Sequence, residues 1–322
     1  MRQYMLDALT VEEILKSHNL KIAKITKFPG SGQRQVFDVK FIDGKTSILK
    51  FIEITPYESI ETQMENSHYG RPIEELEFEK LKEQEIERNS KRIKREIQAS
   101  KEVSIFPKFE IFDDLQKYQF EQIIFLYYFE EKVDGIPLKH SDFYSSSMVL
   151  SINDVLDFVR RMLILIKVMH NSPRKYVHRD ITPANILVDA SNTFHLIDAG
   201  LVKSREDETI TRHESAIGTK RYRAAEQERI IEDYDWDFRT DIFSVGLIAI
   251  ELFLHEVKQF QDDELRDLHE ILNIWLKKDD SYRSRRVFSK IIVKLSNSKR
   301  VKRSNSIDGL INEIDQILGG EE

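Results

Sequence analysis

Residues 176–187, Tyr-Val-His-Arg-Asp-Ile-Thr-Pro-Ala-Asn-Ile-Leu, constrain this chain more than any other stretch. They set a carboxylate, Asp180, and a carboxamide, Asn185, four intervening residues apart. Farther on, Leu196-Ile197-Asp198-Ala199-Gly200 reads as a hydrophobic strand that ends in an aspartate and a glycine turn. Phosphoryl transfer needs such a set: one carboxylate to face an incoming hydroxyl, and side-chain oxygens to hold metal on the phosphates. Asp, Asn, Pro and Gly are also ordinary turn formers, so a β-hairpin with polar residues in its turn is the plain alternative. The order of the elements around these residues decides between the two.

Residues 176–187 resemble the H-R-D-x-x-x-x-N catalytic loop of the protein kinases, and Asp198-Ala199-Gly200 resembles their D-F-G element with alanine in place of the aromatic. Gly218-Thr-Lys-Arg-Tyr-Arg-Ala-Ala-Glu-Gln227 is similar to the family's G-T-x-x-Y-x-A-P-E segment, with Ala225 replacing proline. Thr240-Asp-Ile-Phe-Ser-Val-Gly246 matches the start of the large-lobe core helix. The resemblance covers about residues 20–318 and is to the eukaryotic-type (Hanks-type) serine/threonine kinases. It implies an α+β, bilobal kinase fold with a β-rich small lobe, a regulatory helix and a mainly helical large lobe.

Along the chain, Thr10 with Glu13 reads as the capped start of a short helix in an N-terminal extension, residues 1–19, packed outside the small lobe. Residues 20–131 read as the small lobe and 132–322 as the large lobe. Leu20–Phe28 alternates as a strand into Gly30-Ser31-Gly32, where glycines let a hairpin backbone approach phosphates. The family's third glycine is missing, and Val36 stands one residue nearer Gly32 than in its pattern. Thr46–Ile52 is a strand carrying Lys50, with Ile48 two residues before it. A charged, Pro- and Gly-free stretch over 76–103 predicts a long helix with a solvated face. Ile111-Phe112 and Ile123–Phe129 predict two further strands, and Glu130–Leu138 resembles the hinge that joins the lobes in the family. Ile152–Met169 and Ile307–Leu318 predict helices.

The resemblance implies roles residue by residue. Asp180 orients the substrate hydroxyl and accepts its proton, Asn185 and Asp198 hold Mg2+, and Lys50 aligns ATP. Gly30, Ser31, Gly32, Val36, Ile48 and Leu187 would line the nucleotide site, and backbone groups near Glu131 and Val133 would meet the adenine edge. Glu96, beside Ile93 and Ile97 on one helical face, is the expected partner of Lys50, and Glu130 falls at the gatekeeper position. The separation of Lys50 and Glu96 implies an insertion over 53–90, which could seat a regulatory partner. Arg179 is expected to pair with an activation-loop phosphate, with Ser204, Thr209, Thr211 and Ser215 as candidate acceptors and Thr219 touching Asp180. Asp241 would anchor the catalytic-loop backbone and Arg303 would neutralise Glu226. Thr182 stands where such kinases usually carry lysine.

Composition narrows the class. With 40% hydrophobic and 33% charged residues the chain suits a globular domain, and no run of about 18 apolar residues marks a membrane span. No signal-peptide pattern is visible at the N-terminus, so a cytoplasmic location is expected. The absence of cysteine removes thiol catalysis and zinc-thiolate sites. A net charge of −7 disfavours nucleic-acid binding, and the basic residues between Arg283 and Arg303 read as a solvated helical face. The function expected is ATP–Mg-dependent phosphorylation of Ser/Thr on protein substrates, the chain itself included. A pseudokinase acting as a binding protein and a small-molecule kinase are the alternatives. The first is disfavoured by Lys50, Asp180, Asn185 and Asp198 together, the second by residues 218–246.

Overall fold

The computed structural model describes residues 5–29, 34–55, 75–121, 123–144, 150–199, 202, 219–227, 236–254 and 287–320. Gly30, Ser31, Gly32, Ser204, Thr209, Thr211, Ser215 and residues 56–74 of the 53–90 insertion lie outside them. The chain divides into two compact units, Met1–Lys101 with Pro107–Val133 and Glu102–Phe106 with Asp134–Glu322.

The first unit is built on an antiparallel sheet in the order β1 (Ile22–Lys27), β2 (Arg34–Phe41), β3 (Thr46–Glu53), β6 (Ile123–Glu131). The far edge of β6 is shared by β4 (Phe109–Glu110) and β5 (Gln116–Phe120). Strict alternation along β2 sends Phe37, Val39 and Phe41 to one face of the sheet. Leu49 and Phe51 of β3 and Phe125, Tyr127 and Phe129 of β6 join them. That much aromatic surface has to be covered, and helix α1 (Ala8–Ser17) covers it with Val11, Ile14 and Leu15. The opposite face packs Ile52, Ile54, Leu126 and Tyr128 on Ile93 and Ile97 of the long helix α2 (Glu75–Glu102).

Four expectations are corrected here. Helix α1 is an integral layer of the unit and not an outer extension: Leu6, Val11 and Leu15 are 1%, 0% and 0% exposed. It also starts earlier, because Asp7 and not Thr10 is the N-cap, accepting the Thr10 amide at 2.8 Å. Ile111-Phe112 is not a strand: Ile111 has φ 69°, which breaks the extended run after β4, and β5 forms farther on from alternating Gln116–Phe120. Finally, β6 runs through Glu130 and Glu131 where a connection was expected, because Ser47 and Ile48 of β3 keep pairing with them.

In the second unit, three strands, β7 (Ile136–Pro137), β8 (Ile186–Val188) and β9 (Phe194–Leu196), form an antiparallel sheet. Helix α3 (Ile152–His170) begins in a capping box of Ser151 and Asp154 and packs on α4 (Phe238–Phe253) and α5 (Ile307–Gly319). Apolar residues dominate α4, and all but three of its residues are buried. Gly246 lets the backbone near Ser296 come close, since a Cβ there would lie 2.8 Å from the Ser296 Cβ. Among the described residues no helix is long and apolar enough to cross a membrane.

Candidate active site

The site residues of the second unit collect around one buried carboxylate. Asp241, in the first turn of α4, accepts the backbone amides of His178 and Arg179, each at 2.9 Å. Arg179 has φ 66°, a strained value for a residue with a side chain, and these two bonds hold the chain there. Burial pushes the Asp241 carboxyl upward, against the opposing pull of His178 and the two amide bonds. Gln227, 3% exposed, adds a second clamp: its Nε2 donates to the Arg179 carbonyl at 2.7 Å and its Oε1 accepts the Ala224 amide at 3.0 Å.

So fixed, the loop presents Asp180 with both oxygens engaged. Oδ1 accepts the amide and the hydroxyl of Thr219 at 2.8 and 2.9 Å, and Oδ2 accepts Nδ2 of Asn185 at 3.1 Å. The same Nδ2 donates to the Asp180 carbonyl at 3.0 Å. This commits the amide nitrogen of Asn185 and leaves its side-chain oxygen outside both bonds. The Asn185 carbonyl in turn accepts the Ile197 amide at 3.0 Å, joining the loop to the end of β9, where Asp198 sits at φ 62°. Asp180, Asn185 and Thr219 are therefore linked through one short network, and Asp198 follows Ile197, whose amide joins it. Thr182 is buried and accepts the Asn185 amide through its carbonyl at 3.0 Å. Leu187 lies in the middle of β8.

Arg179, 6% exposed, lies with its guanidinium 5.3 Å from the ring centre of Trp236. Glu226 takes a bidentate pair from Arg303 at 2.6 and 3.0 Å and a bond from Thr240 Oγ1 at 3.1 Å. Arg300 pairs with Asp237 at 2.6 Å, so this cation, read from the sequence as part of a solvated face, serves as an internal partner.

In the first unit Lys50, 5% exposed, is paired across the sheet with Val36 on β2 and Tyr128 on β6. Its ammonium lies 3.5 Å from Glu96 Oε1 and 2.9 Å from Glu130 Oε2. Glu96 also holds the Arg34 guanidinium through both oxygens, at 3.0 and 2.6 Å, and accepts the Tyr128 hydroxyl at 2.7 Å. Burial and the two glutamates drive the Tyr128 phenol well above its ordinary pKa. Ile48 pairs with Glu130 in register. The Glu131 amide donates to the Lys108 carbonyl at 2.7 Å, and Val133 is half-buried beyond the strand.

Sequence reasoning missed Gln227 and Arg34. Gln227 carried no signal, being a single amide just past the Glu226 that ends the matched motif. Arg34 stood in the stretch where the glycine pattern was irregular, and its register opposite Ile52 places it two residues along the same sheet face from Val36 and Lys50.

The donor set of the second unit, a carboxamide oxygen and an aspartate carboxylate, is of the hard oxygen type that suits Mg2+. Among known proteins, the family model described as "Protein kinase domain" matches residues 77–314, about three quarters of the chain. A probable serine/threonine-protein kinase PknB of Lactococcus lactis is 26% identical over 166 residues, 52% of this chain and 25% of that protein. GLH-binding kinase 1 of Caenorhabditis elegans is 31% identical over 125 residues, 39% of this chain and 31% of its own. Serine/threonine-protein kinase PknB of Mycobacterium leprae is 35% identical over 81 residues, 25% of this chain and 12% of its own. The matches thus span less than a third of these relatives. With a catalytic-loop network of this form and a family match over most of its length, the chain belongs to the protein kinase domain family.

Proposed function

We propose that this chain transfers the γ-phosphate of ATP, with Mg2+, to serine and threonine hydroxyls of protein substrates, itself included, and that it does so in the cytoplasm, where ATP is supplied. The observation that carries this reading is the carboxylate of Asp180, held on one oxygen by Thr219 and on the other by Asn185. A carboxylate immobilised in this way is prepared to orient a hydroxyl and take its proton as the oxygen attacks phosphorus. Asn185 and Asp198 offer the oxygens for magnesium, which neutralises phosphate charge when bound. Lys50 supplies a cation for the phosphates, and Val36, Ile48, Leu187 and backbone near Glu131 and Val133 are the residues proposed to contact the nucleotide. The preference for Ser/Thr is supported by Thr219 and by the serine/threonine kinases among the relatives. Arg179 and the hydroxyls of residues 204–215 remain the proposed regulatory pair, and the 53–90 insertion the proposed regulatory docking site.

The test is transfer of labelled phosphate from ATP–Mg to the protein itself and to a generic protein substrate, with Asp180→Asn in parallel. Loss of a general base lowers the rate by about 10²–10⁴-fold. Label on the wild type and not on the variant supports the reading. Bound ATP with no transfer by either protein rejects it in favour of a pseudokinase, and transfer to a metabolite alone rejects it in favour of a small-molecule kinase.

A further inference from the structure

Two carboxylates and two cations share one buried face of the first unit, and the geometry does not pair them as the sequence alone would. Arg34, Lys50 and Glu130 sit on β2, β3 and β6, with Tyr128 between Lys50 and Glu130, while Glu96 comes from α2. Glu96 spends both oxygens on Arg34, in the bidentate fork that only a guanidinium can form. Its Oε1 is shared further with the Tyr128 hydroxyl. Lys50 is a point charge with no fork geometry to satisfy. It lies nearer Glu130, at 2.9 Å, than Glu96, at 3.5 Å, whose charge Arg34 already offsets. All four are shielded: the Arg34, Lys50, Glu96 and Glu130 side chains are 21%, 7%, 4% and 13% exposed. Lys132 pairs separately with Asp38 at 2.7 Å.

We propose that the two tasks usually joined in one lysine–glutamate pair are divided here: Arg34 positions helix α2 through Glu96, and Glu130 positions the ammonium of Lys50. Arg34 and Glu130 are thus positioning residues, acting through Glu96 and Lys50. Their role in catalysis rests on the kinase reading above; the pairing itself does not. Because Arg34 opens the strand that follows Gly30-Ser31-Gly32, the grip on α2 is tied to the proposed phosphate loop and not to Lys50.

Two measurements independent of turnover test the pairing. Hydrogen exchange of the α2 amides around Glu96 should quicken about tenfold in Arg34→Met and less than about twofold in Lys50→Met, since only the first removes a bidentate contact. Where Arg34→Met does not fold, Arg34→Lys, which keeps the charge and loses the fork, gives the same reading. Acylation of Lys50 by an amine reagent, followed against pH by mass spectrometry, reports its proton. Removing a carboxylate partner destabilises the ammonium, so the profile should move to lower pH by about one unit in Glu130→Gln, by less in Glu96→Gln, and return in Glu130→Asp. An equal or larger shift in Glu96→Gln, or α2 exchange that responds to Lys50→Met as much as to Arg34→Met, overturns the proposal. Phosphate transfer by the wild type is measured alongside. Its absence refutes the kinase reading, while exchange and acylation still decide the pairing.

Discussion

Thr219 gives both its backbone amide and its hydroxyl to one oxygen of Asp180, at 2.8 and 2.9 Å. Two donors on one oxygen fix the carboxylate plane and leave its second oxygen to Asn185. Thr219→Val keeps the amide bond and the branched shape and removes only the hydroxyl. A hydrogen bond to a charged group contributes about 1.5–3 kcal/mol, so kcat for phosphate transfer should fall roughly ten- to a hundredfold with little change in the KM for ATP. Steady-state kinetics of the variant check this, and an unchanged kcat would show that Asp180 is held without the hydroxyl.

The Glu226–Arg303 pair predicts a stability effect and not a catalytic one. Both side chains are buried, and Arg303 also donates to the carbonyls of Asn297 and Arg239 at 2.7 and 2.9 Å. Arg303→Met strands Glu226 without its cation and should cost about 3–5 kcal/mol in urea unfolding. Replacing both, with Glu226→Met and Arg303→Leu, should recover a good part of that loss. A double variant as unstable as the single one would mean that the carbonyl bonds matter more than the ion pair.

A pH dependence follows from Glu251, 1% exposed near the end of α4. Burial raises its carboxyl above the usual 4.5, although Arg221 and the hydroxyls of Tyr144 and Tyr222 pull the other way. The folded protein therefore binds this proton more readily than the unfolded chain. Its contribution falls as pH rises from about 4.5 through the raised value and is constant above it. In Glu251→Gln that slope is gone, whereas the upward shift of Asp241 is common to both proteins and cancels. Urea melts of the two at steps between about pH 4.5 and 7.5 should show the wild type losing stability relative to the variant as pH rises. A relative gain would contradict a burial-dominated carboxyl.

Gly246→Ala should destabilise the second unit. The new methyl would lie 2.8 Å from the Ser296 Cβ and 3.0 Å from both the Leu295 Cβ and the Ser296 nitrogen, so the helix or the neighbouring segment must move. Overpacking of this kind costs about 1–3 kcal/mol, more than the helix-propensity gain of about 1 kcal/mol. Thermal unfolding of the variant gives the sign directly.

Much of this was readable in the chain because the informative residues are local in sequence. Asp180 and Asn185 are close enough to share a loop, and the periodic stretches over 76–103, 152–169 and 307–318 fold as the helices they predict. The strand pairing of β3 with β6 was harder, since it depends on register between residues far apart. That register sets Glu130 beside Lys50, a relation that local spacing cannot show. Ile111 and Phe112 looked like strand residues by type, yet the left-handed backbone at Ile111 turns them aside to pack on the aromatic face of the sheet. The N-terminal helix was visible as a short capped element, but its importance became clear only from the face of the sheet that it covers.

Leu6, just ahead of that helix, ties the N-terminal segment to the strand leaving the glycine-rich stretch. Its amide donates to Gln35 Oε1 at 2.9 Å, the same atom accepts Lys27 Nζ at 2.8 Å, and that ammonium returns to the Leu6 carbonyl at 2.9 Å. Lys27 ends β1 and Gln35 is the second residue of β2, so both arms of the hairpin hang from one knot. In mechanical terms the N-terminus is a tether fastened at the root of the proposed phosphate loop. Tension applied at Leu6 passes to Lys27 and Gln35 directly through these three bonds.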